Sequence, residues 1–130
     1  MSLFFGILKK NGCFTLNLQN KTENTFVQQV LEYIADNYSK EITSTNVSSI
    51  FYMNHSYFCR KFKKAFSCCF SDYILAYRLE KAKIYLRTTN LNITEIAFRT
   101  GFNGCSYFSK TFKEQFGLSP LSYRKSNLYK

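Results

Sequence analysis

His55-Ser-Tyr-Phe-Cys-Arg-Lys-Phe-Lys-Lys-Ala-Phe66 returns fifty residues later as Cys105-Ser-Tyr-Phe-Ser-Lys-Thr-Phe-Lys-Glu-Gln-Phe116. Ser56, Tyr57, Phe58, Phe62, Lys63 and Phe66 meet Ser106, Tyr107, Phe108, Phe112, Lys113 and Phe116, and further on Tyr73 meets Tyr123. Upstream the offset becomes 49, so that Val47 meets Ile96 and Ser48 meets Ala97. The one-residue change falls where a turn can absorb it. Two copies are too few for a solenoid and indicate one supersecondary unit used twice.

Each copy reads as helix–turn–helix. In the second, Ile93, Ile96 and Ala97 follow helical spacing, Asn92 or Thr94 can cap the start, and Gly101 supplies the left-handed residue that ends such a helix. A new helix then begins near Cys105–Ser106. Phe108, Phe112 and Phe116 recur at i, i+4, i+8, and Gly117 closes it. The first copy repeats the plan. Thr43 or Ser44 caps a helix bearing Val47, Ile50 and Phe51, and Asn54 caps a second one with Phe58, Phe62 and Phe66 on one face. Away from the phenylalanines the second helices are small, polar and basic: Ser56, Cys59, Arg60 and Lys63 in one, Ser106, Ser109, Lys110 and Lys113 in the other. The apolar face docks on a core, and the polar face is narrow enough for a major groove. One basic amphipathic helix is commonly only a solvated surface. Two, each behind a turn and a short capped helix, point to DNA.

Between the copies, Ile74, Leu75, Leu79, Ala82 and Leu86 mark one helix over Ser71–Arg87, with Ser71 as its expected cap and Asp72 at its positive end. About 16 residues at 1.5 Å rise give roughly 24 Å, enough to hold two reading heads near the ~34 Å turn of a duplex once their own width is added. Thr25–Tyr38 forms an acidic amphipathic helix through Phe26, Val30, Leu31, Ile34 and Tyr38, expected to pack against the first copy and not to touch DNA. Residues 1–22 read as an extension to a domain over 23–130. Phe14, Leu16 and Leu18 alternate with polar residues, Asn11-Gly12 is a hairpin turn signal, and Phe4–Leu8 can be the partner strand. An isolated hairpin is marginal in water, so a frayed tail, a dimerisation element and the remnant of a sensing domain all stay open.

Composition narrows the function. The chain has 130 residues, 45% hydrophobic and 18% aromatic, with one Pro and five Gly, which excludes wholesale disorder and low-complexity designs. Net charge is +10. Residues 20–54 carry −2, whereas residues 55–98 and 99–130 carry +5 each, so the excess coincides with the second helix of each copy and the residues beyond it. Such an excess calls for a polyanionic partner. No apolar run approaches the ~18–20 residues of a membrane span. Lysines come after, and not before, the short apolar start, unlike a secretory signal. Five Cys, two adjacent and none spaced C-x-x-C, fit a reducing cytosol better than a disulfide or zinc framework. Cys68-Cys69 reads as buried packing.

Residues 26–124 resemble the DNA-binding domain of the AraC/XylS family of bacterial transcription regulators. The matching stretches are Tyr57-Phe-Cys-Arg-Lys-Phe-Lys-Lys, Tyr77-Arg-Leu-Glu-Lys-Ala-Lys-Ile-Tyr-Leu, Ile93-Thr-Glu-Ile-Ala-Phe-Arg-Thr-Gly-Phe, Ser106-Tyr-Phe-Ser-Lys-Thr-Phe-Lys-Glu-Gln-Phe-Gly and Ser119-Pro-Leu-Ser-Tyr-Arg124. The resemblance implies an all-α, homeodomain-like fold of seven helices, with two helix-turn-helix subdomains joined by a long linker helix. It implies promoter DNA and RNA polymerase as partners. An activator is expected, the sign of regulation being open to repression, and no cofactor or metal is expected. Base contacts are implied for Ser56, Cys59 and Arg60, and for Cys105, Ser106 and Lys110. Arg60 suits guanine best, since a guanidinium pairs both acceptors, and a phosphate clamp is its other role. Lys63, Lys64, Ser109, Lys113 and Arg124 are expected at phosphates, which fix register without reading sequence. Arg78 is expected to support the linker helix.

The first copy departs from the family pattern. Ser48 stands where Ala is usual, Tyr52 where a small turn residue is common, and Ser67 where the second copy has Gly117. A looser first unit is expected. With no room for a sensing pocket, control by abundance is expected, as is a monomer on DNA in the cytoplasm, associated with the nucleoid. The alternatives are a non-specific nucleoid-type binder, which would lose all affinity along one steep salt slope, and a truncated regulator whose sensing domain is lost. An enzyme would need convergent acids, bases or nucleophiles, and the single His55 has no evident triad. His55 and Cys59, at i and i+4, offer a metal only two ligands.

Overall fold

The computed structural model describes residues 21–128. Seven α-helices and no strand occupy them: α1 (Lys21–Asn37), α2 (Ser44–Ile50), α3 (His55–Phe66), α4 (Phe70–Thr88), α5 (Ile93–Arg99), α6 (Cys105–Phe116) and α7 (Pro120–Leu128). The expected hairpin lies outside the described residues. The chain divides into two compact units, one ending at Tyr77 and the other starting at Arg78, so the boundary falls inside the uninterrupted α4.

The first unit forms around its phenylalanines. Phe26, Val27, Val30 and Ile34 of α1, Val47 of α2, and Phe58, Phe62 and Phe66 of α3 are all buried. Phe62 and Phe66 stack with centroids 4.1 Å apart, and Tyr73 meets both edge-on at 5.7 and 4.9 Å. Each such side chain contributes roughly 1.5–3 kcal/mol by leaving water. Burial also pushes the Tyr73 phenol far above its usual range, with Cys68 and Tyr77 adding to the shift. The second unit repeats the scheme. Ile96, Ala97, Phe102, Phe108 and Phe112 are buried with Leu79, Ala82 and Leu86 of α4. Phe112 meets Phe116 at 4.6 Å and Tyr123 at 5.7 Å, and Lys83 Nζ sits 4.6 Å above the Phe116 ring.

Caps set where the helices begin. Thr43 Oγ1 accepts from the Asn46 amide at 3.1 Å. Asn54 Oδ1 accepts from the Ser56 and Tyr57 amides at 2.9 and 3.3 Å. Asn92 Oδ1 accepts from the Glu95 amide at 2.8 Å, while its Nδ2 donates to Glu95 Oε1 at 3.3 Å. These caps occupy amides that have no partner within the helix, each worth about 1 kcal/mol. Helix α6 begins behind Gly104, which has no side chain to offer.

The duplication extends to the turns. At the end of α2, the Tyr52 and Met53 amides donate to Ser49 O and Ser48 O at 3.0 and 2.8 Å. At the end of α5, Gly101 and Phe102 donate to Phe98 O and Ala97 O at 3.1 and 2.9 Å. Both closures need a left-handed residue, with φ of 95° at Gly101 and 56° at Tyr52. Ser67 ends α3 at φ 64° where Gly117 ends α6 at 81°. An L-residue in that region costs on the order of 1–2 kcal/mol. The first unit carries two such residues, and the second has glycine at both places.

Four expectations change. Ile50 points to solvent and the buried partner of Val47 is Ser48, whose hydroxyl is satisfied by Thr45 O at 2.8 Å. A seven-residue helix buries only about two consecutive side chains, and its third apolar position has rotated past the core. Helix α4 starts at Phe70, with the Cys69 carbonyl accepting from the Tyr73 amide at 3.1 Å, so Ser71 lies inside the helix and is not its cap. Burial of Phe70 against Phe58 and Phe62 draws the start forward. Of the two adjacent cysteines Cys68 is buried and Cys69 is exposed, with its sulfur 3.3 Å from Ser71 Oγ. In α1, Leu31 is only half-buried, whereas Val27, absent from the expected stripe, is buried.

Candidate nucleic-acid interface

Helices α3 and α6 present the same exposed side chains for the same local reasons. Phe58 and Phe62, and correspondingly Phe108 and Phe112, have no measurable exposure, which fixes the rotation of each helix. Ser56, Arg60, Lys63 and Lys64 of α3 are exposed, and Cys59 is half-buried. On α6, Ser106, Lys110 and Lys113 are exposed, while Cys105 and Ser109 are half-buried, 3.8 Å apart from sulfur to oxygen. The structure therefore brings Ser56, Cys59 and Arg60 together on one helix face and Cys105, Ser106 and Lys110 together on another. Among the described residues Arg60, Lys63, Lys110 and Lys113 engage in no ion pair, so their positive charge is turned outward without a carboxylate to neutralise it.

Arg124 is placed differently from the expectation of a phosphate contact. Its Nε donates to Leu86 O and its Nη2 to Thr89 O, both at 3.1 Å. The guanidinium closes the C-terminal end of α4, where carbonyls lack partners within the helix and the dipole favours a cation. Arg78 is half-buried, and burial lowers its pKa, in keeping with its expected supporting role.

Three features of the surface gave little or no signal in the sequence. Tyr57 and Tyr107 are matched in the repeat and are both exposed, although their place beside the phenylalanine stripe suggests core. Lys61 covers aromatic rings, with Nζ 5.0 Å from the Phe26 centroid and 5.6 Å from that of Tyr57, so one cation of α3 is held against its own unit. His55 Nε2 lies 2.8 Å from Ser44 Oγ and 3.5 Å from Cys59 Sγ, which ties the first turn of α3 to α2. No group of three or more His, Cys, Asp or Glu side chains that could hold a metal occurs among the described residues. No helix among them is long and apolar enough to cross a membrane.

Each of the two paired-helix units, with its small, polar, cationic face on the second helix, has the geometry of a helix-turn-helix motif. Residues 47–126 match a protein family described as a helix-turn-helix domain. The chain is 32% identical over 119 residues to the melibiose operon regulatory protein of Escherichia coli, covering 83% of this chain and 39% of that protein. Among solved structures, the C-terminal domain of AraT, a response regulator from Geobacillus stearothermophilus, superposes with a TM-score of 0.74 at 33% identity, over 77% of this chain and 84% of that one. A transcriptional regulator with an AraC-type DNA-binding domain from Chromobacterium violaceum shares the fold, with a TM-score of 0.75 at 21% identity, over 83% of this chain and 96% of that one. The chain spans between about a third and two fifths of the length of several curated regulators it matches. The chain belongs to the AraC/XylS family of helix-turn-helix transcription regulators, and its two units form that family's DNA-binding domain.

Proposed function

We propose that the chain recognises promoter DNA in a sequence-specific way by placing α3 and α6 in the major groove and thereby regulates transcription. One observation carries this reading. The two helices expose matched small polar residues and the matched cations Arg60, Lys63, Lys110 and Lys113, which have no ion-pair partner among the described residues. In this reading Ser56, Cys59 and Arg60, with Cys105, Ser106 and Lys110, meet base edges. Lys63, Lys64, Ser109 and Lys113 hold phosphates on either side. Regulator membership supports RNA polymerase as the protein partner and activation as the outcome, and the chain acts by binding, with no catalytic step, at the nucleoid in the cytoplasm. As the two units belong to one chain, a monomer serves one site.

The test begins with selection of bound sites from random duplex DNA. Arg60→Ala and Lys110→Ala are each expected to weaken the selected site by roughly 1–3 kcal/mol and to relax preference in separate parts of it. Equal loss on selected and random duplexes for both variants would assign these side chains to phosphates and remove the basis for specific reading. A charge-only binder, the reading favoured by net charge +10 alone, would show no enriched site, and its affinity would fall along one salt slope for every duplex.

A further inference from the structure

We infer that Tyr52, in the turn between α2 and α3, is a DNA-backbone contact that the first unit has and the second lacks. The inference rests on the DNA-binding reading above and adds a residue to it. Tyr52 and Gly101 occupy the same place, because their amides and those of the next residues make the same pair of hydrogen bonds that closes the preceding helix. The turn demands a left-handed backbone, which glycine adopts freely and tyrosine does not. Tyr52 nevertheless holds φ 56°. Tyr52 is 97% exposed, so no packing among the described residues compensates for that conformation. A strained backbone under a large, fully exposed aromatic is the combination expected where the side chain meets something outside the chain.

Charge and position identify what it meets. Residues 42–71 contain no Asp or Glu, while α3 within them carries Arg60, Lys61, Lys63 and Lys64. The corresponding part of the second unit contains Glu95 and Glu114. The stretch from α2 through α3 thus has no carboxylate of its own to repel phosphate, the nearest being Glu41 and Asp72 just outside it. Asn54, which caps α3, lies two residues after Tyr52 and directly before the end of α3 that carries Ser56. When that end enters a major groove, the turn behind it reaches the rim, where sugar and phosphate line the groove. A tyrosine there covers deoxyribose with its ring and donates its hydroxyl to a phosphate oxygen. The contact reads no base and strengthens binding to all duplexes.

Tyr52→Gly, Tyr52→Asn and Tyr52→Phe separate the strain from the contact. Gly and Asn both tolerate the left-handed turn, so both variants are expected to melt higher than the parent, by about 4–8 °C. Both are also expected to bind selected and random duplexes about tenfold more weakly, the size of one lost hydrogen bond to a charged group. Tyr52→Phe keeps the ring and the strain, should melt like the parent, and should lose only part of the affinity. Variants that melt higher and bind DNA as the parent does overturn the inference. Loss of transcription by RNA polymerase with DNA affinity intact overturns it as well, and makes Tyr52 a protein contact. Melting that does not rise for either Gly or Asn refutes the strain. A parent chain that selects no DNA site defeats the DNA-binding reading itself, which Arg60→Ala tests through another side chain.

Discussion

Arg124 shows how a single side chain changes meaning between sequence and structure. In a cationic chain an arginine in the last helix reads as a phosphate contact. In the folded protein it reaches back by 38 and 35 residues to Leu86 O and Thr89 O. Those carbonyls end α4 and have no amide partner inside it, and two donors held in one plane satisfy both at once. Arg124→Ala should therefore act on stability, with a loss of about 2 kcal/mol for two half-buried carbonyls left unpaired. Arg124→Lys should restore little of it, because an ammonium on a flexible stem does not reproduce the fork. Thermal melting decides: if Arg124→Ala melts like the parent and only its DNA affinity falls, the phosphate role is the correct one. Tyr52 and Ser67 belong to the same scale. Both have positive φ where the second unit has glycine, so the expectation of a less stable first unit has a backbone cause at two named positions.

Helices α3 and α6 show what the sequence reveals at the scale of elements. Phenylalanine at every fourth position made their buried faces readable, and polar capping residues placed the starts of α2, α3 and α5. The expected start of α4 failed because Ser71 is a good cap in isolation, whereas Phe70 has a hydrophobic pocket to fill. That pocket, formed with Phe58 and Phe62, exists only after folding. The same reason hid the outward rotation of Ile50, since a seven-residue helix carries too few turns to define its buried face by periodicity. Candidate site residues were legible only as helix faces, because Arg124 and Arg60 are the same residue type and differ by what folding brings near them. Within α6 the stripe itself is graded, as Phe112 is fully buried and Phe116 only half-buried. Phe112→Ala should cost about 3–5 kcal/mol, and Phe116→Ala distinctly less, because part of its ring already faces water beneath Lys83. Denaturant titration of both variants checks the order. Equal losses would mean that Phe116 is shielded as completely as Phe112.

For the whole molecule, the question raised by two reading helices in one chain is how many chains a site needs. A protein with one helix-turn-helix commonly pairs with a second copy and reads a palindrome, because one helix contacts only a few base pairs. Here α3 and α6 share a serine, Ser56 and Ser106, but differ at the other matched positions of these faces: Arg60 against Lys110, Cys59 against Ser109 and His55 against Cys105. Two different heads call for two different half-sites, so the duplex they select should be asymmetric. Joined through the uninterrupted α4, they should protect about two helical turns when a single chain is bound. The electrostatic share of the binding is set by charge. With net charge +10 and most of the excess after His55, affinity for any duplex should fall steeply with salt, while the ratio between selected and random DNA persists. Footprinting, with the mass of the complex measured by light scattering, tests this directly. One chain on an asymmetric footprint is the expected result. A palindromic footprint carrying two chains would show that each chain reads with only one of its heads, and the difference between α3 and α6 would then need another explanation.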